Sequence, residues 1–273
     1  MWGAIQRATG KVVLIGDVSQ LPPTVISQKR KTDLSVSPME RLLGCENTPS
    51  VMLTVQHRST PQIMAFPSQM FYHGKIESAP KTRGTIADMF SLVGNDLTTN
   101  HLVLVPTCDM PESTPIDTKS YANVGECQLV RGLIRDLIAS GVSTTSIGVA
   151  TPYSGQVSLL VQSLEDTHQG ILVSTIDKFQ GTSAFQLYFN HILSLKGSER
   201  DVIIVSTVRS NGAGRLGFLS DPRRVNVAMT RAKKLLILVC DTSTLGHDPL
   251  LQSLIEHFRE NGVEVSPDMF LSE

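Results

Sequence analysis

The residues equipped for chemistry sit in a few short stretches of this 273-residue chain. Gly16-Asp17-Val18-Ser19-Gln20-Leu21-Pro22-Pro23 sets a glycine and a carboxylate ahead of an amide held by two prolines, a rigid polar loop. A turn that merely needs Gly and Pro is the plainer alternative. From Lys196 to Lys234 nine Lys/Arg stand against three acids (Glu199, Asp201, Asp221), and from Asp241 to Glu273 seven acids stand against Arg259 alone. That segregation describes an anion-facing surface with a solvated back, or equally the charged faces of ordinary helices. Gly3 and Gly10-Lys11 imitate a phosphate-binding loop, but the glycines lie seven apart and Val12 replaces the hydroxyl ligand. A phosphate loop must also run into a helix N-terminus, whereas an apolar run follows Lys11, so the imitation is rejected. Four cysteines (Cys45, Cys108, Cys127, Cys240) and seven histidines include no Cys-x-x-Cys and no paired ligand spacing. Neither a structural metal nor a disulfide scaffold is expected, and a reducing compartment, cytoplasmic or nuclear, is.

Such stretches need a frame. Short β-branched runs recur at Val12–Ile15, Leu102–Val105, Ile147–Ala150, Ile171–Val173, Val202–Val205 and Leu235–Val239. They are continuous rather than alternating, the pattern of strands buried on both faces. Between them lie helical stripes, Leu129/Leu133/Ile134/Leu137 and Val157/Leu160/Val161/Leu164. Strands alternating with helices predict an α/β fold with a parallel, three-layer sheet. In such sheets the working residues lie on loops at the carboxyl ends of strands. The stretch 109–123, with Pro111 and Pro115, reads as a surface connection, and a composition shift at Gln56–Pro61 marks a domain boundary. No apolar run approaches the roughly 18 residues of a membrane span. A formal charge of −1 makes no case by itself for nucleic acid or membrane.

Five ordered stretches carry a resemblance. Gly16–Pro23 resembles motif III of superfamily 1 helicases, in the branch that contains the nonsense-mediated-decay RNA helicase. Val55-Gln56-His57-Arg58, with Phe66-Pro67-Ser68 and Phe71-Tyr72-His73-Gly74 after it, resembles that branch's Gln-Tyr-Arg segment. Thr151-Pro152-Tyr153-Ser154-Gly155-Gln156 resembles its Thr-Pro-Tyr-x-x-Gln motif. Ser174-Thr175-Ile176-Asp177-Lys178-Phe179-Gln180-Gly181 resembles the first half of motif V, and Asp221 through Lys233 resembles motif VI. The likeness runs from about Lys11 to Asp241.

The resemblance implies a RecA-like domain of the P-loop NTPase type, ATP with Mg²⁺ as cofactor in the complete motor, and single-stranded RNA or DNA as partner, with no membrane. It makes Arg58 and Arg231 arginine fingers on the γ-phosphate, a role suited to a planar guanidinium and worth about 10³–10⁵ in rate. It makes Gln20, in the loop of Gly16 and Asp17, the group that senses the γ-phosphate or its attacking water. His57 stands where relatives carry a tyrosine stacked on adenine, and it reads otherwise as an ordinary half-buried histidine. Glu199 is implied as a ribose contact. Pro152, Tyr153, Ser174, Thr175 and Asp177 are implied as nucleic-acid contacts, since stacking plus phosphate contacts grip a single strand. For Tyr153 a core aromatic at a strand end is an equal alternative.

Two departures qualify the implied activity. These residues contain neither a Gly-x-x-x-x-Gly-Lys-Ser/Thr loop nor the Asp-Glu pair that holds magnesium. The expected organisation is therefore a remnant of a first RecA-like domain (1–57), a second RecA-like domain (58–262) and an acidic tail (263–273). Sixteen residues, Thr182–Gly197, also interrupt motif V, and deleting them restores Phe-Gln-Gly-Ser-Glu-Arg-Asp. The insert carries Phe185, Tyr188 and Phe189 and no acid. A retained in-frame intron fits better than a protein-binding element, because the site interrupts chemistry rather than a tolerant loop tip. Three functions follow as expectations: an ATP-dependent helicase or translocase, a nucleic-acid-binding piece without ATPase activity, and an interaction protein built on the insert.

Overall fold

A computed structural model of the chain describes residues 5–22, 36–90, 96–114, 120–164, 170–181 and 199–271. The insert 182–197 lies outside the described residues. Two short strands, β1 (Val55–Gln56) and β2 (Glu77–Ser78), pair in parallel. The main sheet is built from β3 (Leu102–Pro106), β4 (Ile147–Thr151), β5 (Leu172–Thr175), β6 (Arg200–Ser206), β7 (Ala232–Cys240) and β8 (Val263–Glu264). Its order is β5-β4-β6-β7-β3-β8, and every neighbouring pair is parallel. The carboxyl ends of β5, β4 and β6 therefore lie side by side.

Alternate residues of one strand enter opposite cores, which is why the strands read as unbroken apolar runs. Leu102, Leu104, Ile203, Leu236 and Leu238 face one layer of helices. That layer holds α2 (Pro61–Tyr72), α5 (Ile176–Gly181), α6 (Pro222–Met229) and α7 (Pro249–Asn261), with α1 (Pro38–Leu43) earlier in the chain. Val103, Val105, Val202, Ile204, Leu235 and Ile237 face the other layer, made by α3 (Val124–Ala139) and α4 (Ser154–Leu164). The fold is the expected three-layer α/β sheet. Leu129, Leu133, Ile134 and Leu137 of α3 are wholly buried, whereas in the α4 stripe Leu160 and Leu164 are buried, Val157 is half-buried and Val161 exposed.

Local chemistry fixes where helices start. Asp221 accepts the Arg223 N–H at 3.0 Å ahead of Pro222, and Asp248 accepts those of Leu250 and Leu251 ahead of Pro249. Each pairs a carboxylate cap with proline in the first turn, where its missing N–H costs nothing.

One expected strand is absent. Residues 11–17 form no strand, and Val13 and Ile15 are 80% and 93% exposed. A β-branched run becomes a strand only beside another strand, and among the described residues none lies next to it. The segment expected as an acidic tail contributes β8 to the sheet edge, and its Val265 and Phe270 are buried.

Candidate functional site

Arg58 leaves β1 through a turn built by one amide. Gln56 Oε1 accepts the Arg58 and Ser59 N–H groups at 2.7 and 2.9 Å, while Nε2 donates to Ser59 O and Ser78 Oγ. The turn sends the Arg58 side chain toward the end of α6, where Nη1 donates to Thr230 O at 3.1 Å. Arg231 follows α6 directly, its Nε donating to Val227 O at 3.2 Å. The Glu199 carboxylate, at the start of β6, takes an ion pair from Arg58 and lies 4.0 Å from Arg231 Nη1. Burial first, and then the neighbouring Arg58 charge, push the Arg231 guanidinium below its usual range. Two cations share the Glu199 carboxylate, and their planar forks suit bidentate contact with a phosphate.

The loop of Gly16 and Asp17 comes to the same place. Asp17 Oδ2 accepts from Gln20 Nε2 at 3.0 Å and from the Tyr72 hydroxyl at 2.6 Å. Asn226 of α6 donates to Ser19 O at 2.8 Å and to the Tyr72 oxygen at 2.9 Å. The Leu21 backbone exchanges two hydrogen bonds with the Gln180 amide, at 3.0 and 3.2 Å. Burial first, then the hydrogen bond to Asp17, push the Tyr72 hydroxyl up to about 12, so it stays a neutral donor. Asp17, Tyr72 and Arg58 all lie close enough to act on the Arg231 charge. Gln20 is half-buried, while Gly16, Asp17 and His57 are exposed. Tyr72, Gln180 and Asn226 stood inside the motif stretches with no role assigned, and their hydrogen bonds at a junction of three helices supply one. They staple the loop.

The expected nucleic-acid residues assemble on neighbouring strand ends, in the register Ala150↔Ser174 and Thr151↔Thr175. Pro152, Ser174 and Thr175 are half-buried, and Thr175 Oγ1 accepts the Lys178 N–H at 3.4 Å. Asp177 is held by a two-pronged pair with Arg224, at 2.8 and 3.1 Å. Tyr153 is only 3% exposed. Its hydroxyl donates to Leu216 O at 3.3 Å and accepts the Phe218 N–H at 3.2 Å, and its ring meets Tyr121 edge-on. In this structure it packs as a core aromatic, behind the strand-end surface rather than on it.

Beneath that surface lies a polar cluster of which only Gln156 stood in a motif. Glu126, fully buried in the first turn of α3, accepts from Ser206 Oγ at 2.6 Å, Val208 N at 2.9 Å and Thr207 Oγ1 at 3.3 Å. Buried Gln156 bridges Asn123 and Ser206. The available signal was the pair Asn123 and Glu126, a helix cap with an acid three residues on: Asn123 Oδ1 accepts the Glu126 N–H at 3.0 Å.

A profile of the AAA domain family matches residues 34–190 and 183–243, two stretches that meet within the insert. DNA-binding protein SMUBP-2 of Mesocricetus auratus is 36% identical over 257 residues, covering 92% of this chain and 24% of that protein. Regulator of nonsense transcripts 1 of Caenorhabditis elegans is 35% identical over 264 residues, covering 94% and 23%. ATP-dependent helicase NAM7 of Saccharomyces cerevisiae is 30% identical over 275 residues, covering 94% and 25%. The chain thus spans about a quarter of the length of these relatives.

Proposed function

The chain belongs to the AAA domain family, as a superfamily 1 helicase sequence of the branch that holds these relatives, and on that premise we propose that it supplies the second-domain half of an ATP-driven motor on single-stranded RNA or DNA. One observation carries the reading. Arg58 and Arg231, far apart in sequence, meet on the Glu199 carboxylate beside the stapled Gln20 loop.

Bound ATP supplies the γ-phosphoryl group on which charge redistributes as it departs. The two guanidiniums fit that group, being paired donors whose nearest counter-charge is the Glu199 carboxylate. They exchange Glu199 for phosphate oxygens, which frees the carboxylate for the ribose. Gln20, its amide held by Asp17, orients the attacking water. Among the described residues no group of three His, Cys, Asp or Glu side chains could hold a metal. The strand ends at Pro152 and Ser174–Thr175 hold the nucleic acid, with Tyr153 as the backing. Asp177 fixes Arg224. The 273 residues by themselves bind a strand without turnover, since they contain no phosphate loop and no Asp-Glu pair. Cytoplasm or nucleus is the setting we assign.

The test uses a motor with a phosphate-loop domain joined upstream and residues 182–197 removed. Arg231→Ala should lower turnover about 10²–10³-fold, the cost of a lost transition-state donor. Arg231→Lys should rescue poorly, since a point charge does not reproduce the fork. Strand affinity without nucleotide should stay unchanged in both. Full turnover with lost strand affinity would move Arg231 to the nucleic-acid surface and end this assignment.

A further inference from the structure

With Tyr153 buried, the strand-end surface lacks an outward aromatic ring, and the loop that follows β6 provides one. Phe218 is 51% exposed, the only aromatic among the exposed large apolar side chains of the described residues. Its neighbours explain why it points outward. Leu216 and Leu219, at 8% and 5% exposure, anchor the chain inside on either side. Gly217 between them sits at φ +57°, and a Cβ there would fall 2.2 Å from Tyr153 Oη. The backbone therefore packs directly on the tyrosine hydroxyl, which holds Leu216 O and Phe218 N together. Across the loop the buried Arg209 guanidinium lies 4.1 Å over the Tyr121 ring and donates to Arg215 O at 2.8 Å. Asn211 closes the same turn, its amide pairing with both Arg215 N and Arg215 O at 2.8 and 3.0 Å.

The result is a fixed loop with two outward groups. One is Phe218, whose ring meets Tyr153 at 5.3 Å between centroids and carries Arg224 Cζ 5.0 Å from its centre. The other is Arg215, exposed, with no carboxylate in salt-bridge range among the described residues. Arg224 ties the loop to Asp177, and Tyr153 ties it to Pro152, so it stands against the strand ends already described. Bases of any sequence offer a π-face, and phosphates offer charge. A fixed ring beside a free guanidinium matches one of each without ordering cost.

We infer that residues 209–220 form a preorganised grip on single-stranded nucleic acid, with Phe218 stacking a base and Arg215 contacting a phosphate. This rests on reading the strand ends as the nucleic-acid surface. The test titrates the full chain into short fluorescein-labelled oligo(U) and oligo(dT) and follows anisotropy at several salt concentrations. Phe218→Ala and Phe218→Leu should each weaken binding about ten-fold, the loss of one stacked base, without changing the salt slope. Phe218→Tyr should bind like the wild type. Arg215→Ala should weaken binding and reduce the salt slope by about 0.7, one released counterion on a single strand. All variants should stay folded with a single melting transition, since Gly217, Leu216 and Leu219 anchor the loop from inside. Wild-type binding that survives Phe218→Ala and Arg215→Ala unchanged overturns the grip while leaving the strand-end reading intact. Phe218→Leu binding like the wild type overturns the stacking role. No binding by the wild type overturns both readings.

Discussion

Glu126 carries the pH dependence of this fold. Burial first, opposed by the hydrogen bonds from Ser206, Val208 and Thr207, pushes its carboxyl from an ordinary 4.5 to about 7, and the Asp241 charge nearby acts in the same upward direction. Cys240, whose thiol burial and then the Glu126 charge push up, is neutral throughout and does not offset it. Between pH 4.5 and 7 the folded carboxyl keeps a proton that the unfolded chain has released, so stability falls as pH rises through that window. The loss is about 3 kcal/mol in full. Melting temperature should therefore drop from pH 5 to pH 8 in the wild type and much less in Glu126→Gln, and parallel pH curves would contradict this. What holds the carboxyl there is visible. Val208, a β-branched residue at φ +70°, donates its N–H to Glu126, which pins a backbone conformation that valine rarely adopts. At this scale the arginine pair was legible, because Arg58 and Arg231 each sit in a patterned stretch. Glu126 was not. An acid in a first helical turn reads as a solvated cap until the strand ends above it are known.

At the scale of elements, the two flanks of the insert are both committed to the candidate site. Gln180 closes its amide pair with Leu21, and Glu199 takes up the arginines. Gln180 and Glu199 become near neighbours in sequence only when 182–197 is removed, and the family match breaks inside that stretch. Deleting Thr182–Gly197 should leave the melting temperature equal or higher and improve solubility, because it removes three aromatics and restores the run Phe-Gln-Gly-Ser-Glu-Arg-Asp. A clearly lower melting temperature would show that the insert packs as native structure. Legibility of elements followed lateral pairing. The runs at Leu102, Ile147, Ile171, Val202 and Leu235 became strands because each has a strand beside it, and the equally apolar run at Val12–Ile15 did not. The two-residue β8 was hidden, since its hydrogen bonds to β3 leave no apolar run to read.

Over the whole molecule, the basic block from Lys196 to Lys234 resolves into two kinds of charge. Arg209 pairs with Glu112, Arg223 with Glu40, Arg224 with Asp177 and Lys233 with Asp201, so much of the block is internal scaffold. Of the remaining cations, Lys234 donates to the Thr82 and Arg83 carbonyls, Arg231 lies beside Arg58 and Glu199, and Arg215 stands exposed beside Phe218. Composition alone joined these roles, and only the positions of the acids separate them. The chain covers about a quarter of its relatives' length, and on the proposed reading a phosphate-loop domain completes its nucleotide surface. The most direct test follows phosphate release from ATP while a labelled single strand is titrated into the purified 273-residue chain. Salt-dependent strand binding with phosphate release at background, strand present or absent, is the predicted result. Strand-stimulated turnover that persists in Arg231→Ala would contradict it.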